Sequence, residues 1–173
     1  MSTSQSSGGQ KSAGPAAGGA RSAARLAAVQ ALYQIQVSGG ASRDVVREFI
    51  SHRLGSEIEG DTYIEADADF FSDLVIGAAR RLEEIDKLVV GALSSDWSED
   101  RLERLMRAVL RAGTYELIAR PDVPTKVIIH EYVDVAHAFF SEKEPGFVNG
   151  VLDSIGKTVR HGGKAPGGAE ATV

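Results

Sequence analysis

Apolar residues recur along this chain at steps of three and four. Leu26, Val29, Leu32, Tyr33 and Val37 fall at i, i+3, i+6, i+7 and i+11, which is one face of a helix ending at Gly39-Gly40. Ser42 reads as the N-cap of a second helix that buries Val45, Val46, Phe49 and Ile50, with Gly55 beyond its end. The polar, acidic stretch SEIEGDTYIEAD reads as a loop. A long third pattern starts at Asp67 or Asp69 and runs through Phe70, Phe71, Leu74, Val75, Ala78, Leu82, Ile85, Leu88 and Val89 to Leu93. Its polar RRLEE run predicts a break between Arg80 and Glu84.

Ser98 reads as the cap of the next helix, because SEDRL places carboxylates in a first turn where they complement the helix dipole. Leu102, Leu105, Met106, Val109, Leu110, Tyr115 and Leu117 carry that helix to Arg120, and Pro121 stops it. Pro124 or Thr125 opens the following one, lined by Val127, Ile128, Tyr132, Val133, Ala136, Phe139 and Phe140. Pro145-Gly146 ends the link, and Phe147, Val148, Val151, Leu152, Ile155 and Val159 form a last helix. About seven helices result and no strand; the tetrad Lys126 to Ile129 is short and lies inside a helical period. The fold class is all-α.

Length and composition narrow this picture. A chain of 173 residues carries one domain or two small halves sharing an interface, and 43% hydrophobic with 25% charged residues is an ordinary globular composition. The first 20 residues and those from His161 on are Gly, Ala, Ser and Pro-rich, too poor in apolar surface to offset the entropy of ordering. We expect disordered tails at 1–20 and 161–173 around a domain of 21–160. The absence of cysteine excludes disulfides, thiolate catalysis and Cys-based metal sites. With no long apolar run and no secretory h-region, a cytoplasmic location is expected, with no membrane partner.

Charge is unevenly distributed. No Asp or Glu occurs before Asp44, while Lys11, Arg21, Arg25 and Arg43 give +4, leaving −9 for the rest of a chain of net charge −5. A basic start on an acidic body suits a protein that meets nucleic acid locally.

Catalytic chemistry finds no anchor. The glycine pairs match no phosphate-binding loop. His130, Asp134 and His137 share a helical face, but such a trio is more often solvated than a metal site. Glu83, Glu84 and Asp86 lie among Arg80, Arg81 and Lys87, where ion pairs within the helix account for them. We therefore expect no enzyme, cofactor or metal. Binding remains. Arg21 and Arg25, at i and i+4, emerge on one side of the first helix one turn apart, and two guanidinium forks so placed can reach successive phosphates. Tyr33, eight residues on, is either core or a ring for an unpaired base.

The segments ARLAAVQALYQIQ and FVNGVLDSIGK, joined by LRAGTYELIARPDVPTKVIIHEYVDVAHAFF, resemble the bacterial transcription antitermination factor family NusB from about Ala20 to Arg160. The resemblance implies two packed small helical bundles and a non-catalytic role. It implies binding to the boxA element of nascent ribosomal RNA leaders together with the ribosomal protein NusE, and delivery to elongating RNA polymerase with other Nus factors. Arg21 and Arg25 match two basic positions of the family, Tyr33 and Phe147 match positions at or beside the RNA surface, and Lys126 matches a nearby lysine. Lys143 stands in the loop before FVNG, where relatives carry an acidic residue, and favours an RNA backbone. The family's dense arginine run is interrupted here by Ser22, Ala23 and Ala24, which implies fewer phosphate contacts, with Lys11 compensating in part. Two rivals stay open: a module that binds only protein, and a stand-alone relative of the RNA-binding domain of ribosomal RNA cytosine methyltransferases. Helical faces reserved for partners can also pair two copies, so a homodimer of the free protein is a further alternative.

Overall fold

The computed structural model describes residues 17–54, 66–94, 102–141 and 143–160. Among them are seven helices and no strand: α1 (Ala17–Ser38), α2 (Ser42–His52), α3 (Ala68–Arg80), α4 (Leu82–Ala92), α5 (Arg104–Ala119), α6 (Thr125–Phe139) and α7 (Glu144–Arg160). Helices α1 to α3 pack on one another, as do α4 to α7, and the two groups join chiefly where α1 and α3 meet α5. The all-α expectation holds.

Helix α5 forms the centre. It buries residues on every side, from Met106 through Val109, Leu110 and Ala112 to Leu117, so it is wrapped by the other helices instead of lying on a surface. Its last carbonyls are satisfied from another element. The Arg160 guanidinium, at the end of α7, donates to the backbone oxygens of Glu116, Leu117, Arg120 and Val123 at 2.6–3.2 Å. A cation at a helix C-terminus also complements the dipole.

Helix boundaries follow local chemistry with some shifts. The long third pattern divides at Arg81 into α3 and α4, and the Asp67 side chain caps α3 by accepting from Phe70 N at 2.9 Å. Gly39 adopts φ +70° and closes α1 by donating to Ile35 O. Ser42, expected as a cap, is instead the first helical residue; Ala41 precedes it in an extended conformation without a side-chain cap. Helix α1 begins at Ala17, inside the segment expected as tail, and Asp67 N donates to Ala20 O to tie that first turn to α3. Helix α5 starts at Arg104, later than the Ser98 cap implies. In α7, Pro145 and Gly146 lie within the first turn, where proline needs no hydrogen-bond donor. Ser98, Gly55, Lys11, most of the SEIEGDTYIEAD stretch and the segments 1–16 and 161–173 lie outside the described residues.

Candidate nucleic-acid interface

The first turns of α1 bring Arg25 inward. Its Nε donates to Glu116 Oε1 at 2.6 Å and its Nη2 to Glu116 Oε2 at 3.1 Å, while Nη1 lies 3.6 Å from Glu131. Tyr132 OH donates to the same Glu116 Oε1 at 2.7 Å, and Ser22 Oγ donates to Glu131. Arg25 is 2% exposed and Glu116 is fully buried. This corrects the expectation for Arg25: its fork is consumed by a carboxylate of α5, and it cannot present itself to a phosphate. The alanines at 24, 27, 28 and 31 explain the inward turn, since they let α1 approach its neighbours closely enough for a guanidinium to reach across. Burial opposes the charge on Arg25, but the hydrogen bond and charge of Glu116, aided by Tyr132 and Glu131, raise its pKa above the ordinary arginine value.

Arg21, one turn earlier, stays partly exposed. Its guanidinium carbon lies 4.7 Å from the centre of the Phe70 ring, and Nη1 is 3.7 Å from Asp122. Arg120 approaches the same ring at 5.0 Å and donates from Nη2 to Asp122 Oδ2 at 3.0 Å. Lys126 follows in the first turn of α6, exposed. Thus one end of the molecule, where α1 and α6 begin and α5 ends, gathers Arg21, Arg120 and Lys126.

The other predicted residues lie at the opposite end. Gln36 Nε2 donates to Arg104 O, which fixes the C-terminal part of α1 beside the start of α5. Tyr33 is 41% exposed there and lines a groove with Gln30, Val37, Leu105 and Phe139. Lys143 is exposed and Phe147 half-buried; both border a cavity of about 280 Å³ with Leu102, Met106 and Phe140. Arg21 and Tyr33 are twelve residues apart on one helix, about 18 Å along its axis. The six residues therefore form two patches and one buried anchor.

Other polar groups have structural partners. Glu84 pairs with Arg81 and Glu83 with Lys87, as expected within a helix, but Asp86 reaches across to α5, where Arg111 grips it with two bonds of 2.8 Å. His130 lies 3.3 Å from Asp134, and among the described residues no group of three or more His, Asp or Glu side chains is placed to hold a metal. No described helix is long and apolar enough to cross a membrane.

Tyr115 OH donates to Asp73 Oδ1 at 2.6 Å; burial and then that carboxylate push its pKa up to about 12. Burial and Glu116 push Tyr132 upward as well. A pKa raised above the unfolded value of about 10 means that the stabilisation is complete below pH 10 and is lost as the pH rises towards 12. Stability to urea should therefore fall across this interval, and Tyr115→Phe should fall less steeply. Equal slopes in the two proteins would contradict the Tyr115 assignment.

Sequence reading did not find Glu116, Phe70, Arg120 or Asp122. The available signal was a lone carboxylate inside the apolar run TYELIA, which demands a buried cation. For the others no spacing rule applies, because the contacts join α1, α3 and the link after α5.

A closed helical core with cations beside aromatic rings at two ends defines an all-α protein with two candidate binding patches. Residues 22–157 match the model of the NusB family. The chain is 55% identical over 140 residues to the transcription antitermination protein NusB of Allorhizobium ampelinum, covering 81% of this chain and 88% of the relative. It is 54% identical to that of Sphingopyxis alaskensis, covering 81% and 94%. Among solved structures, Thermotoga maritima NusB superposes with a TM-score of 0.65 at 30% identity, over 79% of this chain and 90% of that one. A chain in the crystal structure of the antitermination factors NusB and NusE in complex with dsRNA gives 0.66 at 29% identity, over 79% and 96%. The chain belongs to the NusB family.

Proposed function

We propose that this protein is a transcription antitermination factor. It acts as a non-catalytic cytoplasmic scaffold that binds boxA as single-stranded RNA in ribosomal RNA leaders, together with NusE, and assists processive elongation by RNA polymerase with other Nus factors. The observation that carries this reading is the likeness to proteins named for antitermination over four-fifths of the chain, joined by the fold shared with a NusB crystallised with NusE and RNA. The physical arrangement agrees with it. Partly exposed Arg21 and exposed Lys126 supply cations at one end, and Lys143 beside Phe147, with Tyr33 nearby, supplies a cation and rings at the other. Cations hold a phosphate backbone and rings stack on unpaired bases. The acidic body leaves surface for a basic ribosomal protein.

The test is a fluorescence titration of a boxA oligonucleotide over a salt series, with and without NusE, against a duplex of the same sequence. Arg21→Ala with Lys126→Ala should weaken binding and flatten the salt slope by about 0.7 per lost phosphate contact. Phe147→Ala should weaken binding with the thermal midpoint kept. An unchanged slope in the double variant would remove this end from the interface. Binding to NusE with no measurable RNA affinity in any combination would favour the protein-only module.

A further inference from the structure

We propose that Arg21 and Arg120, both laid against Phe70, form a binding site for one phosphodiester group of RNA, and that Asp122 is the anion occupying it in the free protein. This rests on the RNA-binding reading above and adds to it a contact residue, Arg120, and a built-in competitor.

The geometry marks where the anion sits. Asp122 Oδ2 is 3.0 Å from Arg120 Nη2 and 3.7 Å from Arg21 Nη1, so a single carboxylate oxygen serves two guanidinium groups. Neither pair has the two-bond fork that makes arginine–carboxylate contacts strong. A phosphodiester carries two non-bridging oxygens and can give one to each arginine. The guanidinium groups are held in place beforehand by the Phe70 ring, at 4.7 and 5.0 Å, and the ring itself is almost fully buried. The link is fixed too. Val123 N donates to Arg120 O across the turn containing Pro121, and Arg160 grips the same carbonyl from below at 2.6 Å.

Four carboxylates face this cluster, and they are not equivalent. Glu116 is consumed by Arg25 and Tyr132, Glu131 by Ser22 and Arg25. Asp73 receives Tyr115 OH on one oxygen and lies 3.4 Å from Arg120 with the other. Asp122 is the most exposed of the four, at 52%, and the side chains of Arg21 and Arg120 beside it are both partly exposed. It alone can swing away to admit another anion without opening the core. Partial desolvation works against its charge, but the hydrogen bond from Arg120 and the charges of Arg120 and Arg21 hold its pKa below the ordinary aspartate value. The competitor is thus ionised at neutral pH, and RNA must displace it.

The experiment compares wild type, Asp122→Asn and Asp122→Asn/Arg120→Gln in fluorescence anisotropy with a single-stranded boxA oligonucleotide over a salt series. Thermal midpoints of all three serve as the folding control. Removing the competing charge should tighten binding about three- to tenfold. It should also steepen the salt slope by up to about 0.7. The double variant should lose this gain. If wild type binds and Asp122→Asn binds equally, the inference is overturned while the RNA reading stands. A gain that survives Arg120→Gln overturns it as well. RNA binding by Asp122→Asn but not by wild type supports it, and binding by neither, with NusE absent and with NusE present, overturns both readings.

Discussion

Glu116→Ala should cost about 4–5 kcal/mol of stability, the largest effect we expect from any single substitution in this chain. Glu116 lies in the centre of α5 and is fully buried, and Arg25 is buried against it. Deleting the carboxylate leaves a guanidinium with nowhere to put its charge, since Glu131 approaches only one nitrogen at 3.6 Å. It also strips the Tyr132 hydroxyl of its acceptor. Breaking a buried ion pair from one side typically costs about 3–5 kcal/mol, and an orphaned hydroxyl adds to that. Urea denaturation of the two proteins measures the difference; a loss below about 1 kcal/mol would mean that water already reaches the pair. Replacing the network as a set, with Arg25→Met, Glu116→Leu and Tyr132→Phe, should recover most of the loss, because an apolar cluster carries no desolvation penalty. The variant has a functional side as well. Ser22 and Arg25 tie to α6 and α5 the helix turn that displays Arg21, so loosening them should also weaken RNA binding.

This network shows where sequence reading succeeds and where it stops. Helical periodicity located the seven helices and the break at Arg81, because each depends on spacing within one segment. The spacing of Arg21 and Arg25 correctly put them on neighbouring turns, yet it carries no information on which turn meets the core. That was decided by Glu116, 91 residues further on, and by the small residues that bring α1 close to it. Local spacing pairs Asp86 with cations of its own segment for the same reason, whereas its partner Arg111 is on another helix. Asp122 and Arg120 flank Pro121, a residue that sequence reading used only as a helix stop. Their meeting with Arg21 over Phe70 depends on how three elements dock. Arg21, Lys126 and Lys143 were placed on the surface by sequence and are exposed or partly so, while their division between two ends follows from helix direction alone.

Gly77→Ala in α3 should destabilise the protein by about 3 kcal/mol, although alanine is the better helix former by about 1 kcal/mol. A Cβ at Gly77 would overlap the Tyr115 hydroxyl and ring, with Cε2 only 2.6 Å away. Tyr115 is 6% exposed and its hydroxyl is fixed by Asp73, so the ring cannot yield without giving up that bond and its packing. Overpacking costs about 1–3 kcal/mol, and loss of a hydrogen bond to a charged acceptor about 1.5–3. Together they exceed the propensity gain. Gly91→Ala in α4 separates the two terms, since nothing lies within 4 Å of the added atom and only the propensity term remains. That variant should be neutral or more stable by up to about 1 kcal/mol. In a Tyr115→Leu background the cost of Gly77→Ala should largely vanish, which a double-mutant cycle measures as coupling. If both glycine variants shift the urea midpoint equally, contact with Tyr115 is not the cause. Asp73 links this contact to the end proposed to face RNA: once Tyr115 releases it, its charge is free to bind Arg120 more closely, so on that proposal Gly77→Ala should also reduce RNA affinity at temperatures where the protein remains folded.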